Sequence, residues 1–274
     1  MGSAGKISVV DSLKFTVGDA GRAYAEVQPR APLEESIRPD VALAQFEYGR
    51  VTARAVTLRG LIHQAAGGPR QDAYCVRGLA DGSVLAAVAD GVGSLPRSHE
   101  AADTAVLQVV KARTAGAAWQ EAFEQANTVV RDMINDKQDL ATTLVATHIR
   151  TCETGVYVSV GWVGDSEMWH LSPDTAWTCL TAPNSARPDS DIYSTTTSSI
   201  PATSLTVQEI ETCVDAGALF LVTDGVGGPL RIHGVQQALG DAWRQAPDIF
   251  TFGAQANFGR KSHMDDRTVV GFWL

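Results

Sequence analysis

The chain has no apolar run approaching the ~18 residues a membrane-crossing helix needs, and no leader of the secretory type opens it. It has only 4 cysteines in 274 residues, Cys75, Cys152, Cys179 and Cys213, and no Cys-x-x-Cys among them. Spaced so widely, they exclude a disulfide scaffold and a cysteine zinc site, and read as reduced, mostly buried thiols. Basic residues are in the minority: 22 Lys and Arg against 31 Asp and Glu, a formal net charge of -9. That balance argues against DNA or RNA as a partner, though not against phosphorylated ligands, because bound cations reverse a local field. No Cys-x5-Arg and no Gly-x-Ser-x-Gly occurs, so the usual covalent nucleophile signatures are missing. What remains is a globular, cytoplasmic protein with a 45% hydrophobic fraction, long enough for one large domain and an extension. Met1 to Lys6 opens like a myristoylation signal but has Lys6 where Ser or Thr is required, and reads as an ordinary terminus.

Two stretches look like copies of each other: Ala89-Asp90-Gly91-Val92-Gly93-Ser94 and Thr223-Asp224-Gly225-Val226-Gly227-Gly228. Each follows an apolar run, Val84 to Ala89 and Ala218 to Thr223, short enough to be a buried strand. Each run therefore delivers a carboxylate at a strand end, followed by a glycine turn where backbone can approach a ligand closely. A single Asp-Gly is an ordinary turn. A matched pair is a different matter.

Residues 1–45 hold Pro29, Pro32 and Pro39 around Glu34-Glu35-Ser36 with weak periodicity, and read as an extension or linker that adds at most an edge strand. A long strand or hairpin arm follows over Val51 to Arg59, then Ala73 to Val76 with a hairpin turn at Asp81-Gly82. Two amphipathic helices show as Ala102, Val106, Val109, Val110 and as Ala122, Phe123, Ala126, Val130, Met133, Ile134. Strands are expected over Thr142 to Ile149 and Val156 to Val163, with Glu167 to Leu171 as the partner arm of a hairpin. Residues 181–205, rich in Ser, Thr, Pro and Asn, read as a surface flap. Thr206-x-x-Glu209 reads as the capping box of a short helix, Ile232, Val235, Leu239 and Trp243 mark another, and Thr268 to Leu274 is a last strand. The six tryptophans are scattered in sequence, which suits core packing, and hairpin connections point to antiparallel sheets covered by helices.

Five acidic residues fall where a strand meets a turn: Asp72, Asp90, Asp165, Asp224 and Asp265. With oxygen donors only and no His or Cys cluster beside them, such a set favours magnesium or manganese over zinc. Carboxylates brought together without cations would raise one another's pKa, and two metals sharing a water would activate it against a phosphoryl group.

Gln71-Asp72-Ala73-Tyr74, Ala89-Asp90-Gly91-Val92-Gly93, Ala141-Thr142-Thr143-Leu144, Val163-Gly164-Asp165-Ser166, Thr223 to Gly228 and Asp265-Asp266-Arg267-Thr268 together resemble the ordered motifs of the metal-dependent protein phosphatases, the PPM or type 2C family, in its bacterial form. The resemblance covers roughly residues 50–274 and implies an α+β fold: a four-layer α-β-β-α sandwich of two antiparallel sheets flanked by helix pairs, here residues 46–274. It implies two core ions, Mn2+ or Mg2+, with a possible third. By position Asp90 bridges the core pair and the Gly91 carbonyl binds one of them. Asp72 lies on that second ion's side, Asp224 and Asp265 complete the first, and Asp165 with Asp224 holds a third, weaker ion. Asp72, Asp90 and Asp224 are thus the catalytic set, and Asp266 supports the ligands by hydrogen bonds. A metal-bridged hydroxide would attack a phosphomonoester directly.

Two departures touch the substrate. Gly67 stands where the family often has a phosphate-binding Arg, leaving His63, Arg70 or Arg97 to meet the phosphate, and Val92 stands where many members have His. The resemblance implies a monomeric serine/threonine phosphatase acting on phosphoproteins, including those made by a Ser/Thr kinase. Two alternatives stay open: the same fold acting on a small phosphorylated metabolite, and a weakly active pseudophosphatase that binds a phosphoprotein.

Overall fold

The structure is a computed structural model that describes residues 15–31, 33, 38–135, 137, 139–181 and 198–274. The terminus at Met1 to Lys6, the acidic stretch Glu34-Glu35-Ser36 and residues 182–197 of the expected flap lie outside the described residues. One sheet holds six strands in the order β1 (Val41–Tyr48), β2 (Val51–Leu58), β11 (Arg267–Trp273), β10 (Ala218–Val222), β7 (Glu167–Leu171), β8 (Trp177–Cys179). The other holds β3 (Ala73–Gly78), β4 (Val84–Ala89), β5 (Leu144–Thr151), β6 (Val156–Val163) and β9 (Gln208–Val214), in that order. All the pairings within these sheets are antiparallel. Helices α3 (Ser98–Thr114) and α4 (Trp119–Asp132) cover the five-stranded sheet, and α5 (Asp224–Leu230), α6 (His233–Trp243) and α7 (Ile249–Ala256) cover the other. The four-layer α-β-β-α sandwich is as expected. None of the described helices is long and apolar enough to cross a membrane.

Strands β4 and β10 show why both apolar runs lack alternation. On β4, Leu85, Ala87 and Ala89 face the helices while Val84, Ala86 and Val88 enter the core between the sheets. On β10, Ala218, Phe220 and Val222 face helices and Leu219 and Leu221 face the inter-sheet core. Both faces are buried, so period-two patterning disappears into a continuous apolar run. Alanines on β4 meet Ala101, Ala102 and Ala105 of α3, which lets helix and sheet approach closely. Under α6 and α7 the tryptophans gather in space: Trp243 stacks on Phe220 at 5.2 Å and meets Phe252 at 5.1 Å, with Trp177 and Trp273 alongside.

Several expectations are corrected. Glu167–Leu171 does not fold back on β6. Gly164, at φ +99°, turns the chain out of the five-stranded sheet, and β7 pairs with β10 and β8 in the other. Thr206-x-x-Glu209 caps no helix, because residues 208–214 form β9, whose pairing closes the open edge of β6. Helix α7 was unmarked by periodicity, yet Asp248 caps it, accepting from Phe250 and Thr251 N–H at 3.0 Å. The thiols are all free, but Cys152 and Cys213 are exposed and Cys75 and Cys179 only half-buried. Residue 46 falls inside β1, which pairs with β2 from Val41 onward.

Nor do the described residues before β1 hang free. Val17 N–H donates to Gly259 O at 3.1 Å, and Arg30 N–H to Gln64 O at 2.9 Å. A short helix, α1 (Gly21–Glu26), sets Tyr24 OH against Asn257 O at 3.1 Å. The arm thus runs along α2 (Leu61–Ala66) and the loop preceding Asp265. Its partners are backbone groups distant in sequence, which composition does not report.

Trp243 is fully buried, and its indole N–H donates to Gln255 at 3.0 Å. Trp243→Ala is expected to cost about 3–5 kcal/mol of unfolding free energy, read from the urea midpoint at unchanged m-value.

Candidate metal centre

The site begins with hydroxyls beneath the carboxylates. Asp72, 1% exposed at the start of β3, accepts through Oδ2 from Thr223 Oγ at 2.8 Å. Thr223 Oγ in turn accepts from Thr268 N–H at 3.0 Å, and Thr268 Oγ bonds Thr57 at 2.6 Å. Four strands or strand ends of two sheets are thereby linked through one buried polar chain. Arg70 and Arg38 close it from behind, both donating to the Asp72 carbonyl, with Arg38 Nη2 at 2.7 Å.

Asp90 ends β4 and is held by its backbone. Its carbonyl accepts from Thr142 Oγ at 2.8 Å and Thr143 N–H at 2.9 Å, and its N–H donates to Thr143 Oγ at 3.3 Å. Thr143 Oγ also bonds Ser166 Oγ at 2.7 Å, which ties the turn of Asp165 to the same point. Gly91 is required by space, since a Cβ there would lie 2.8 Å from Gln71 O.

The second Asp-Gly differs from the first. Asp224 is the first residue of α5 and exposed, so a helix begins where a free turn was expected. A Cβ on Gly225 would fall 1.9 Å from Asp266 O, so only glycine admits the close passage of the two segments. Asp266 is buried, and its carboxylate accepts from Gly60 N–H at 2.6 Å, His63 Nδ1 at 2.8 Å and Gln71 N–H. Asp265 beside it is exposed. His63, Asp265 and Asp266 offer ligand atoms within 4.8 Å of one another, but the oxygens of Asp266 are already committed to these donors.

Electrostatically the five aspartates act on one another. Asp72 and Asp90 are held well above the ordinary carboxylate range, by burial first and then by neighbouring charge, Asp266 for the one and Asp72 with Asp224 for the other. Asp224 is raised by desolvation, against a hydrogen bond from Asp90 and with the charges of Asp265 and Asp165 adding to it. Carboxylates held this close favour uptake of a proton or of a cation. Carboxylates raised in this way, with oxygen as their only donor, suit a hard divalent cation.

The three residues expected to meet phosphate have different surroundings. Arg70 is buried, its guanidinium spent on Thr57 Oγ at 2.8 Å, the Asp72 carbonyl and Pro39 O. Arg97 is engaged by Glu100 at 2.7 Å and Asp139 at 3.1 Å. His63 gives Nδ1 to Asp266, while Nε2 makes no hydrogen bond among the described residues and lies 4.0 Å from where a Cβ of Gly93 would sit. Gly67 terminates α2 at φ +76°, and a Cβ there would meet Leu33 at 2.9 Å, so an arginine would be strained at that position. Sequence reasoning missed Arg38 and Thr57 as supports, and Ser166 was present only as a motif residue. Thr223 and Thr268 lay inside the quoted motifs, which was their only signal.

A raised carboxylate pKa costs stability above the unfolded value, here 3.8 for Asp90, and the cost is complete once pH has risen past the folded value. At pH 7.5 the metal-free protein carries that cost. Asp90→Asn is therefore expected to raise the melting temperature of the metal-free protein by several degrees. Millimolar manganese should stabilise the wild type by about 3 kcal/mol if present at a hundred times Kd, and the variant hardly at all. Differential scanning fluorimetry reads both.

The family model described as protein phosphatase 2C matches residues 59–256, well over half of the chain. Among solved structures, RsbX in complex with magnesium superposes with a TM-score of 0.59 at 14% identity, covering 85% of this chain and 100% of that one. The PPM Ser-Thr phosphatase MsPP from Mycobacterium smegmatis, in complex with cacodylate, gives 0.53 at 21% identity over 89% of this chain and 100% of that one. The catalytic domain of the serine threonine protein phosphatase PstP with 2 manganese ions gives 0.53 at 20% identity over 81% and 97%. At such identities these structures speak for the fold. No curated protein matches the sequence. With the family model matched across both of the Asp-Gly turns, the chain belongs to the protein phosphatase 2C family of metal-dependent serine/threonine protein phosphatases.

Proposed function

We propose that the protein removes phosphate from phosphoserine and phosphothreonine with two core cations, manganese or magnesium. Asp72, Asp90, the Gly91 carbonyl, Asp224 and Asp265 would hold them, and Asp165 with Asp224 a third, weaker ion. The observation that carries this reading is that Asp90, at the end of β4, and Asp224, just beyond the end of β10, come from different sheets to stand near enough for the charge of Asp224 to raise the proton affinity of Asp90. Bound there, the cations would lower the pKa of a water and neutralise charge on the phosphoryl group.

The chain's own residues do the rest. Thr142 and Thr143 fix Asp90, and Thr223 fixes Asp72, so neither carboxylate needs to reorganise when the substrate arrives. His63 takes the place of the absent arginine as the group that contacts the phosphate. Burial alone would lower its pKa, but the hydrogen bond and charge of Asp266 and the charge of Asp265 outweigh it and hold the imidazole above its usual value. Asp266 also fixes the ring so that Nε2 faces the Asp90 turn. The aspartates all come from one chain, which supports action as a monomer on phosphoproteins, including those made by a serine/threonine kinase. Free thiols at exposed Cys152 and Cys213 suit a reducing compartment such as the cytoplasm.

Hydrolysis of p-nitrophenyl phosphate and of a phosphothreonine peptide, with and without manganese, tests this. Turnover is expected only with metal and should fall at least about a hundredfold in Asp224→Asn. Failure of a folded, manganese-loaded wild type on both substrates, and on sugar phosphates, would remove the catalytic reading. His63→Ala should raise KM for either phosphoester about tenfold or more, the loss expected of a charge-assisted hydrogen bond, with a smaller change in kcat. An unchanged KM would take His63 out of the site.

A further inference from the structure

Beside the loop that carries Asp265, the N-terminal arm and residues 260–264 enclose a pocket of about 300 Å³. Its lining has three cations, Arg22, Arg260 and Lys261, against one carboxylate, Asp19. None of the three cations makes an ion pair among the described residues. Asp19 turns inward on its own backbone, its Oδ1 accepting from Gly21 N–H at 2.9 Å. Arg260 is half-buried and held by a bond from Nη1 to Val17 O at 3.2 Å, so its charge is fixed in place. Arg22 and Lys261 are exposed at the rim. In a chain of net charge -9, three uncompensated cations around one concavity reverse the field locally.

The pocket also adjoins a cavity that reaches Asp265. Leu61 and Met264 line both it and a smaller cavity bounded by Gly60 and Asp265. Ile62 N–H donates to Met264 O at 3.0 Å and holds the two walls together. Lys261 and Asp265 are four residues apart, a span of at most ~14 Å at full extension. An extended peptide with its phosphoryl group at the aspartates therefore reaches the pocket with a residue about two to four positions away.

We propose that this pocket is a second anion subsite. It takes the carboxylate or second phosphate of a substrate residue two to four positions from the phosphoresidue being hydrolysed. The proposal rests on the phosphatase reading of the metal centre. Solvent-exposed charge pairs are individually weak, so each contact should contribute up to about fivefold in KM, and salt should erode the preference.

Phosphothreonine peptides flanked by alanine, or carrying one glutamate or a second phosphothreonine at each of the four positions on either side, test it on the manganese-loaded chain. In wild type, kcat/KM is expected to favour an anion at two to four positions on one side by about three- to tenfold over the alanine peptide. That ratio should fall to about one in Arg22→Glu with Lys261→Glu, and survive in Arg22→Lys with Lys261→Arg. No preference in wild type, or the same preference in the charge-reversed variant, would overturn the proposal. Fluorescence anisotropy of the labelled doubly phosphorylated peptide reads the pocket without turnover. If p-nitrophenyl phosphate is also untouched, the phosphatase reading fails, and equal peptide Kd in wild type and charge-reversed variant would then reject the pocket separately.

Discussion

Negative charge forced together is the constraint on which this structure depends. Burial raises the proton affinity of Asp72, Asp90 and Asp224, the charges of Asp72 and Asp224 raise that of Asp90 further, and Asp265 adds to all three. No fold gathers carboxylates this way for stability, because their repulsion opposes folding at neutral pH. The arrangement holds because each is anchored by groups that do not share its charge. Threonine hydroxyls and backbone N–H groups hold Asp90 and Asp72, and two arginines bond the Asp72 carbonyl and not its carboxylate. The scaffold holds an unfavourable field of the kind that divalent cations bound there would relieve, so that metal binding would complete the site.

The two sheets divide this labour. Asp72, Asp90 and Asp165 lie at strand ends or turns of the five-stranded sheet, and Asp224 and Asp265 flank β10 and β11 of the six-stranded one. The centre is thus a seam between layers, with the inter-sheet core of Val88, Val145, Leu221 and Val270 keeping the halves in register. Glycines make the seam close enough. At Gly91 and Gly225 the facing backbones would collide with any side chain.

The fold was largely legible because the decisive strands are short apolar runs ended by Asp-Gly, a signal local in sequence. Each of the candidate aspartates likewise sits inside a motif that is local in sequence. What escaped was whatever depends on distant partners. The edge of β6 draws residues 208–214 into a strand against a plausible cap, and Gly164 sends β7 to the other sheet. Arg38 reaches the Asp72 carbonyl across 34 residues from a segment whose composition suggested a linker. Arg70 looked available to a phosphate because sequence does not show that Thr57 and the Asp72 carbonyl already occupy it. His63 was one candidate among three, and it was the hydrogen bond to Asp266 that set it apart.

Strand β11 runs between β2 and β10, pairing with both along their lengths. It is the last strand of the chain, while β2 lies some two hundred residues earlier. On a ribosome, therefore, β2 and β10 each wait with an open edge until Arg267–Trp273 has emerged, and Asp265 arrives with that same strand. Such non-local closure is slow to nucleate. It also means that the nascent polypeptide holds an incomplete aspartate set until that strand emerges, and gains the full one only as the six-stranded sheet is zipped shut.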